Sequence, residues 1–270
     1  MSSERVELHV EDSGGNGHPV VLIHGWPLSG ASWSEQLDAL TGAGHRVVTY
    51  DRRGFGRSAK PSGGYDYDTL ADDLADVIAS RDLHNVTLVG FSMGGGEVAR
   101  YISRHGDARL ASVVFAAAVP PFLLKTADNQ DGPLTPEAAA DMKHGLQTDR
   151  DAFFEQFTTD FFSVDGVLKV TAAQRQQAIT LCHQSDQRAA VACMEAFAST
   201  DFRKDLANVH VPTLVIHGSG DATVPFEGSG KRTHAAISGS ELVVIDDAPH
   251  GFNVSHAEEF NAALLEFLVG

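Results

Sequence analysis

Short apolar runs recur along this 270-residue chain and alternate with segments that have a helical pattern. Strands are predicted at residues 19–23, 46–50, 86–89, 112–115, 211–216 and 241–245. Their largely apolar composition indicates burial on both faces, as in a parallel sheet. Helices are predicted at about 30–43, 66–82, 93–105, 227–237 and 256–268. The alternation predicts a mostly parallel, doubly wound α/β sheet, which binds ligands at the carboxyl ends of its strands.

The alternation stops at Val119-Pro120-Pro121 and resumes near Thr200. Residues 119–199 have few strand signals, many helix formers and a high density of phenylalanine. We interpret 119–199 as a helical cap inserted into a core made of 1–118 and 200–270. Most of the cap phenylalanines are expected to fill the cap's own core, and only Phe122 and Phe161 are expected to reach a pocket.

Composition narrows the possible partners. The formal charge of −16 and the pI of about 5.1 oppose binding to nucleic acid or to anionic membranes. The chain has no apolar run of the ~18 residues that a membrane span needs, and its first residues have no signal-peptide pattern. Cys182 and Cys193 are expected to be reduced and buried, in a cytoplasmic protein. The sequence contains no metal-binding motif, and we expect neither a metal nor a cofactor.

The segment Gly90-Phe91-Ser92-Met93-Gly94 lies between a predicted strand and a predicted helix. A serine between two glycines at such a junction is typical of a nucleophile elbow, in which a strained turn exposes the serine hydroxyl. The glycines are needed because the turn leaves no room for side chains. Ser92 is therefore the candidate nucleophile.

A serine hydroxyl needs a base to accept its proton, and the base needs a carboxylate to orient it. In this fold the chain order is serine, then acid, then histidine. His250 follows the last predicted strand and is the candidate base. The remaining candidates are His24 and His217, which also end strands and are expected to brace turns.

Asp221 follows the penultimate strand and is the candidate acid. Asp246 and Asp247 share the loop of His250 and are expected to make turn hydrogen bonds. The developing oxyanion needs donors, which are expected to be the backbone N–H groups of Met93 and Trp26. The segment 51–58 ends another strand on the same side, and a structural role is favoured over anion binding.

Together these motifs resemble the α/β-hydrolase superfamily and, more narrowly, the bacterial arylesterases and cofactor-free haloperoxidases (perhydrolases). The resemblance spans nearly the whole chain and depends on residues 24–30, 50–58, 64–69, 90–101, 121–126 and 248–251. It implies Ser92, Asp221 and His250 as a catalytic triad, with Trp26 and Met93 as the oxyanion hole. The candidate pocket residues are Pro27, Phe122, Phe161, Val224 and Phe252.

The resemblance implies hydrolysis of small, often aryl, esters through an acyl-serine, with hydrogen peroxide able to replace water. Pro27, directly after the oxyanion aromatic residue, is typical of members that form peracids well. A homo-oligomer is also implied. The acid motif departs from the usual Gly-Asp-Gly-Asp, since Ser219 stands in place of its first aspartate. We expect this departure to change loop hydrogen bonding rather than abolish activity.

Two other interpretations remain open from the sequence. Lactone or γ-lactam hydrolysis would use the same acyl-serine, and a non-catalytic small-molecule receptor could use the same scaffold. Dehalogenase and epoxide-hydrolase activities are disfavoured, because both attack with a carboxylate at the position that Ser92 occupies.

Overall fold

The computed structural model describes residues 5–270. Its strands are β1 (Val10–Asp12), β2 (Pro19–Ile23), β3 (Arg46–Tyr50), β4 (Val86–Phe91), β5 (Leu110–Ala116), β6 (Ser163–Val164), β7 (Val167–Leu168), β8 (Thr213–Gly218) and β9 (Glu241–Ile245). Seven of them form one sheet in the order β1-β3-β2-β4-β5-β8-β9, and β6 and β7 form a separate hairpin. In the large sheet only β1 runs antiparallel to its neighbour.

The predicted mostly parallel α/β sheet is therefore confirmed, and the six predicted strands correspond to β2–β5, β8 and β9. Strand β4 is buried along its whole length, as its apolar sequence predicts. The sequence did not indicate β1, a three-residue edge strand with an exposed central Glu11, nor the two-residue strands of the hairpin.

The helices are α1 (Ser34–Gly42), α2 (Tyr67–Ser80), α3 (Met93–His105), α4 (Pro136–Thr148), α5 (Arg150–Phe161), α6 (Ala172–His183), α7 (Gln187–Ser199), α8 (Arg203–Leu206), α9 (Gly230–Ala236), α10 (Phe252–Ser255) and α11 (Ala257–Val269). Helices α4 to α7 lie between β5 and β8 in the chain, in the predicted cap. Each begins at a polar N-cap whose side chain accepts a backbone N–H, and these N-caps are Thr135, Asp149, Thr171 and Asp186.

Direct hydrogen bonds attach these helices to the loops at the carboxyl ends of the strands. The indole N–H of Trp26 donates to the Ala190 carbonyl of α7 at 2.9 Å. The backbone N–H of Gly251, next to His250, donates to the Phe161 carbonyl at the end of α5 at 2.8 Å. The cap therefore contacts both the loop after β2 and the loop after β9.

The segment after β3 has the structural role that the sequence favours. Arg52 forms a buried ion pair with Glu97 of α3, and Arg53 pairs with Asp73 of α2 at 2.5 Å. The Asp51 carboxylate accepts the backbone N–H of Gly30 at 2.9 Å. These contacts join the loop to both neighbouring helices and leave the charges of Asp51, Arg52 and Arg53 buried and hydrogen-bonded inside the protein.

Cys182 and Cys193 are free and buried, and they lie on separate helices, α6 and α7. Burial raises the pKa of the Cys193 thiol to about 12, which keeps it protonated. Among residues 5–270, no helix has both the length and the apolar character that crossing a membrane requires.

Candidate active site

Ser92 occupies the turn between β4 and α3 with φ 54° and ψ −118°. A non-glycine residue with this φ is in a sparsely populated region and stores local strain. Hydrogen bonds from neighbouring strands hold the turn: Ser92 N–H donates to Ala116 O at 2.9 Å, and Val119 N–H donates to Ser92 O at 3.1 Å. The turn has the strained geometry that the sequence pattern predicts.

The two glycines that flank the turn are required by close backbone approaches. A Cβ at Gly90 would lie 2.6 Å from the carbonyl oxygen of Gly94, and a Cβ at Gly94 would lie 2.6 Å from the carbonyl oxygen of Ile23. Both distances are far shorter than ordinary van der Waals contacts. Strand, turn and helix can therefore pack this tightly only without side chains at these positions.

The structure brings Ser92, His250 and Asp221 together in one hydrogen-bonded chain. Ser92 Oγ lies 2.9 Å from His250 Nε2, and His250 Nδ1 lies 2.6 Å from Asp221 Oδ2. An ionised carboxylate only accepts, so Nδ1 carries the proton and Nε2 is free to accept one from the serine. All three residues are buried.

Asp221 is held as a carboxylate by its surroundings. Its Oδ1 accepts the backbone N–H groups of Thr223 and Val224 at 2.9 and 2.8 Å. Burial opposes ionisation, but the charge of His250 and hydrogen bonds from His217 and His250 outweigh it and lower the pKa of Asp221 to about 2. The carboxylate is thus charged at any pH at which the protein would work.

The other two strand-end histidines brace turns. His24 Nε2 accepts the backbone N–H of Arg52 at 2.9 Å, and its Nδ1 lies 2.8 Å from Gly25 O. Burial and the nearby Arg52 charge hold the pKa of His24 well below its usual value. His217 Nε2 lies 2.8 Å from the carbonyl oxygen of Val224.

The two aspartates beside His250 have other partners. Asp246 accepts the Ser219 hydroxyl at 3.0 Å, and Asp247 pairs with Lys169 at 2.5 Å. The first of these bonds uses the serine that replaces the usual aspartate, so the changed acid motif does have its own hydrogen bonding.

The predicted oxyanion donors lie on either side of Ser92. Met93 is the first residue of α3, where backbone N–H groups lack intrahelical partners. Trp26 follows Gly25, and a Cβ at Gly25 would lie 3.2 Å from Ser92 Cβ. Within residues 5–270, neither the Trp26 nor the Met93 backbone N–H donates to another protein group.

Ser92 and His250 open into a cavity of about 710 Å³. One wall is aromatic and consists of the side chains of Trp26, Phe153, Phe157 and Phe197. The other lining residues are Val119, Leu123, Pro133, Leu134, Ala138, Met142, Gln156, Thr159, Asp160, Ser163, Asp165, Gly166, Ala222, Thr223, Val224 and Pro225. The charged side chains in this set are two aspartates, and no lysine or arginine of the described chain lines the cavity.

Of the five predicted pocket residues, Val224 lines this cavity and the other four do not. The Phe161 ring packs edge-on against His250, with centroids 5.0 Å apart. Phe252 packs against Phe91 and Phe260 in the core. The expectation that these two rings line the pocket is therefore corrected: one supports the candidate base and the other belongs to the core.

Phe122 is also outside the cavity, since its ring lies under the Arg203 guanidinium at 5.6 Å. Pro27 lies in a turn closed by the Leu28 N–H and the Gly25 carbonyl at 3.1 Å, where it shapes the loop. Phe153, Phe157 and Phe197 are the aromatic lining residues that the sequence interpretation missed; the first two are four residues apart on α5, a spacing that puts side chains on one helix face.

The fold and the strained serine turn after β4 define the class of α/β hydrolases. Residues 18–257 match the family model described as alpha/beta hydrolase fold. The chain is 42% identical to the non-heme chloroperoxidase CPO-A1 of Kitasatospora aureofaciens over 267 residues, which cover 97% of this chain and 96% of that protein. It is 35% identical to a bifunctional esterase/perhydrolase of Acinetobacter calcoaceticus over 272 residues, covering 99% and 98%.

Among solved structures, the bromoperoxidase of Bacillus anthracis superposes with a TM-score of 0.96 at 51% identity, covering 99% of this chain and 97% of that one. The chain belongs to the haloperoxidase family of α/β hydrolases. The resemblance stated from the sequence motifs is thereby confirmed.

Proposed function

We propose that this protein is a serine esterase that acts on small esters and also transfers acyl groups to hydrogen peroxide. The observation that carries the proposal is the continuous hydrogen-bonded chain from Ser92 through His250 to Asp221, located where a large apolar cavity meets the strand ends.

In the first half of the reaction, Ser92 Oγ attacks the ester carbonyl and its proton passes to His250 Nε2. The charge that develops on the carbonyl oxygen is stabilised by the backbone N–H groups of Met93 and Trp26, aided by the N-terminus of α3. His250 then gives the proton to the leaving alcohol, and the acyl group remains on Ser92. Asp221 holds the histidine in the tautomer that this transfer needs.

In the second half, His250 accepts a proton from water or from hydrogen peroxide, and the resulting nucleophile attacks the acyl-serine. The bond between the acyl carbon and Ser92 Oγ then breaks, and Ser92 Oγ takes the proton back from His250. The product is the carboxylic acid when water attacks and the peracid when peroxide attacks. The peracid can leave and oxidise bromide to hypobromous acid, and it is itself reduced to the carboxylate. Peroxide as an acceptor is supported by relatives named non-heme chloroperoxidase and esterase/perhydrolase.

The cavity supports esters with apolar, often aromatic, groups, because the side chains of Trp26, Phe153, Phe157 and Phe197 line the same cavity as Ser92. Such surfaces bind rings through offset and edge contacts as well as by apolar burial. A homo-oligomeric state, implied by the family resemblance, and a cytoplasmic location, expected from the sequence, belong to the proposal as predictions.

The test compares the wild-type protein with S92A and with S103A, a control at an exposed serine on the same helix. p-Nitrophenyl acetate hydrolysis is measured, together with bromination in acetate, peroxide and bromide. We expect S92A to lose about 10⁴-fold or more of both activities, while S103A retains both.

Undiminished turnover by S92A would refute the proposal. A single burst of p-nitrophenol without further turnover in the wild type would favour the receptor interpretation. Bromination that persists in S92A, or that needs no carboxylic acid or ester, would refute the peracid route alone.

A further inference from the structure

The carboxylate of Asp221 is shared by two histidines. Its Oδ2 lies 2.6 Å from His250 Nδ1 and 3.2 Å from His217 Nε2. His217 is the fifth residue of β8 and Asp221 follows four residues later, so the strand end and the acid loop (residues 219–224) face each other. All three side chains are buried, which strengthens these contacts because water does not compete for them.

The hydrogen bonds of His217 define its protonation. Its Nε2 also lies 2.8 Å from the carbonyl oxygen of Val224, which can only accept, so Nε2 carries a hydrogen. Its Nδ1 is buried and has no partner within residues 5–270, and Gly230 packs directly against it. A second proton on Nδ1 would therefore be buried without an acceptor, which is costly.

We propose that His217 is a positioning residue of the triad. It donates one hydrogen both to Asp221 Oδ2 and to Val224 O, and so orients the carboxylate toward His250 as well as closing the acid loop. The inference rests on the proposed function, since it assigns His217 to the site that performs that chemistry. It goes beyond turn bracing because it requires a direct electrostatic effect on the Asp221–His250 pair.

That effect has a definite sign. The titratable groups that face the Asp221 carboxylate are His250, from the loop after β9, and His217 of β8; its other donors are the backbone N–H groups of Thr223 and Val224. Removing the His217 donor leaves more of the carboxylate's negative potential acting on His250. His250 then keeps its second proton to higher pH, and the acid limb of the kcat/KM profile moves upward.

The chain offers a matched set of variants. H217L removes the donor, whereas the amide of H217Q reaches the position of Nε2 and restores it. S229A is the structural control: the Ser229 hydroxyl donates to Pro225 O at 2.7 Å and lies 3.4 Å from Val224 O, but it does not contact Asp221. It loosens the same segment and leaves the carboxylate's donors in place.

We expect H217L to lower kcat/KM for p-nitrophenyl acetate about tenfold or more, the range for one hydrogen bond to a charged group. Its acid limb moves up by roughly one pH unit, which corresponds to about 1.4 kcal/mol. H217Q returns the profile to within a few tenths of a unit of wild type, and S229A does not move it. If H217L does not fold, H217N takes its place, since its shorter amide does not reach the carboxylate.

A readout that needs no turnover is the downfield proton resonance of His250 Nδ1–H, followed by NMR as the pH is changed. A titration shifted upward in H217L and restored in H217Q supports the inference even if the protein proves not to be an esterase. An unshifted profile and resonance in H217L, or an equal shift in S229A, would overturn it and leave His217 with a purely structural role.

Discussion

The buried ion pair between Arg52 and Glu97 predicts that removing one partner will strongly lower the stability of the protein. Arg52 and Glu97 are each 1% exposed. Arg52 Nε donates to Glu97 Oε1 at 2.5 Å, the Tyr50 hydroxyl donates to Glu97 Oε2 at 2.7 Å, and Arg52 Nη2 donates to the His24 carbonyl at 2.6 Å. Burial alone would lower the pKa of Arg52, but the Glu97 charge raises it, so the guanidinium is charged.

The variant E97L removes the carboxylate and leaves that charge buried and unpaired. Breaking one partner of a buried pair costs about 3–5 kcal/mol, and the Tyr50 hydroxyl loses its acceptor at about 1–3 kcal/mol. We therefore expect the free energy of unfolding to fall by about 4–8 kcal/mol, a large part of the 5–15 kcal/mol typical of a whole domain. In R52M/E97L the unpaired charge is gone, and we expect more than half of the loss to be recovered.

Urea unfolding followed by circular dichroism and tryptophan fluorescence measures these free energies. E227L is the control, since the Glu227–Lys231 pair is exposed and its loss should cost under about 0.5 kcal/mol. A cost below about 1 kcal/mol for E97L would contradict the reasoning, and so would a double variant no more stable than E97L. Arg52 also donates to the carbonyl of His24, two residues before the proposed oxyanion donor Trp26. R52M/E97L lacks this hydrogen bond, so it should regain stability without regaining the full kcat.

Four further outcomes follow from the site. G94A places a Cβ 2.6 Å from Ile23 O and should cost about 1–3 kcal/mol in urea, whereas G63A, with open space around it, should cost none; equal effects would refute the packing argument. D221N presents the wrong partner to His250 Nδ1 and should lower kcat about 10⁴-fold. Because the folded pKa of Asp221 is about 2, below the ordinary value of 3.8 for an aspartate, its stabilisation is present above pH 4 and lost toward pH 2; wild type should therefore lose more stability than D221N over that range, and parallel curves would contradict this. A p-nitrophenyl ester with a terminal carboxylate should react at least about tenfold more slowly than a neutral ester of equal length, since the cavity's charged lining residues are both aspartates; equal rates would show that these charges do not select substrates.

The core fold and the positions of Ser92, Asp221 and His250 could be predicted because each depends on local pattern. A buried parallel strand is apolar along its length, and the glycines of the elbow are demanded by the turn itself. Chain order then selects the acid and the base, since the loops after the last two strands of the sheet carry Asp221 and His250 to the nucleophile. The predicted strand ends were within three residues of those found.

The lining residues of the pocket could not be predicted in the same way. They depend on where each cap helix lies over the strand ends and on which of its faces points toward them. Successive residues four apart on α5 drift by about 40°, so Phe153 and Phe157 face the cavity while Phe161, a further turn along, reaches His250. Phe122 lies in the segment after β5, and its ring packs under the guanidinium of Arg203 rather than in the cavity. Composition identified these rings as important but could not assign their directions.

Because its side chains rotate from the cavity toward His250 along its length, helix α5 contributes both to substrate selection and to the support of the candidate base. Helix α5 provides two rings of the cavity wall, and its last residue supports His250 twice, with the Phe161 ring against the imidazole and the Phe161 carbonyl accepting the Gly251 N–H. A preorganised site needs its base fixed before substrate arrives. Changes near the start of α5 can therefore alter which ester fits without moving the base, whereas a shift of the whole helix would change both together. Substitutions at Phe153 and Phe157 should therefore change which substrates the cavity accepts, provided that Phe161 is retained to support His250.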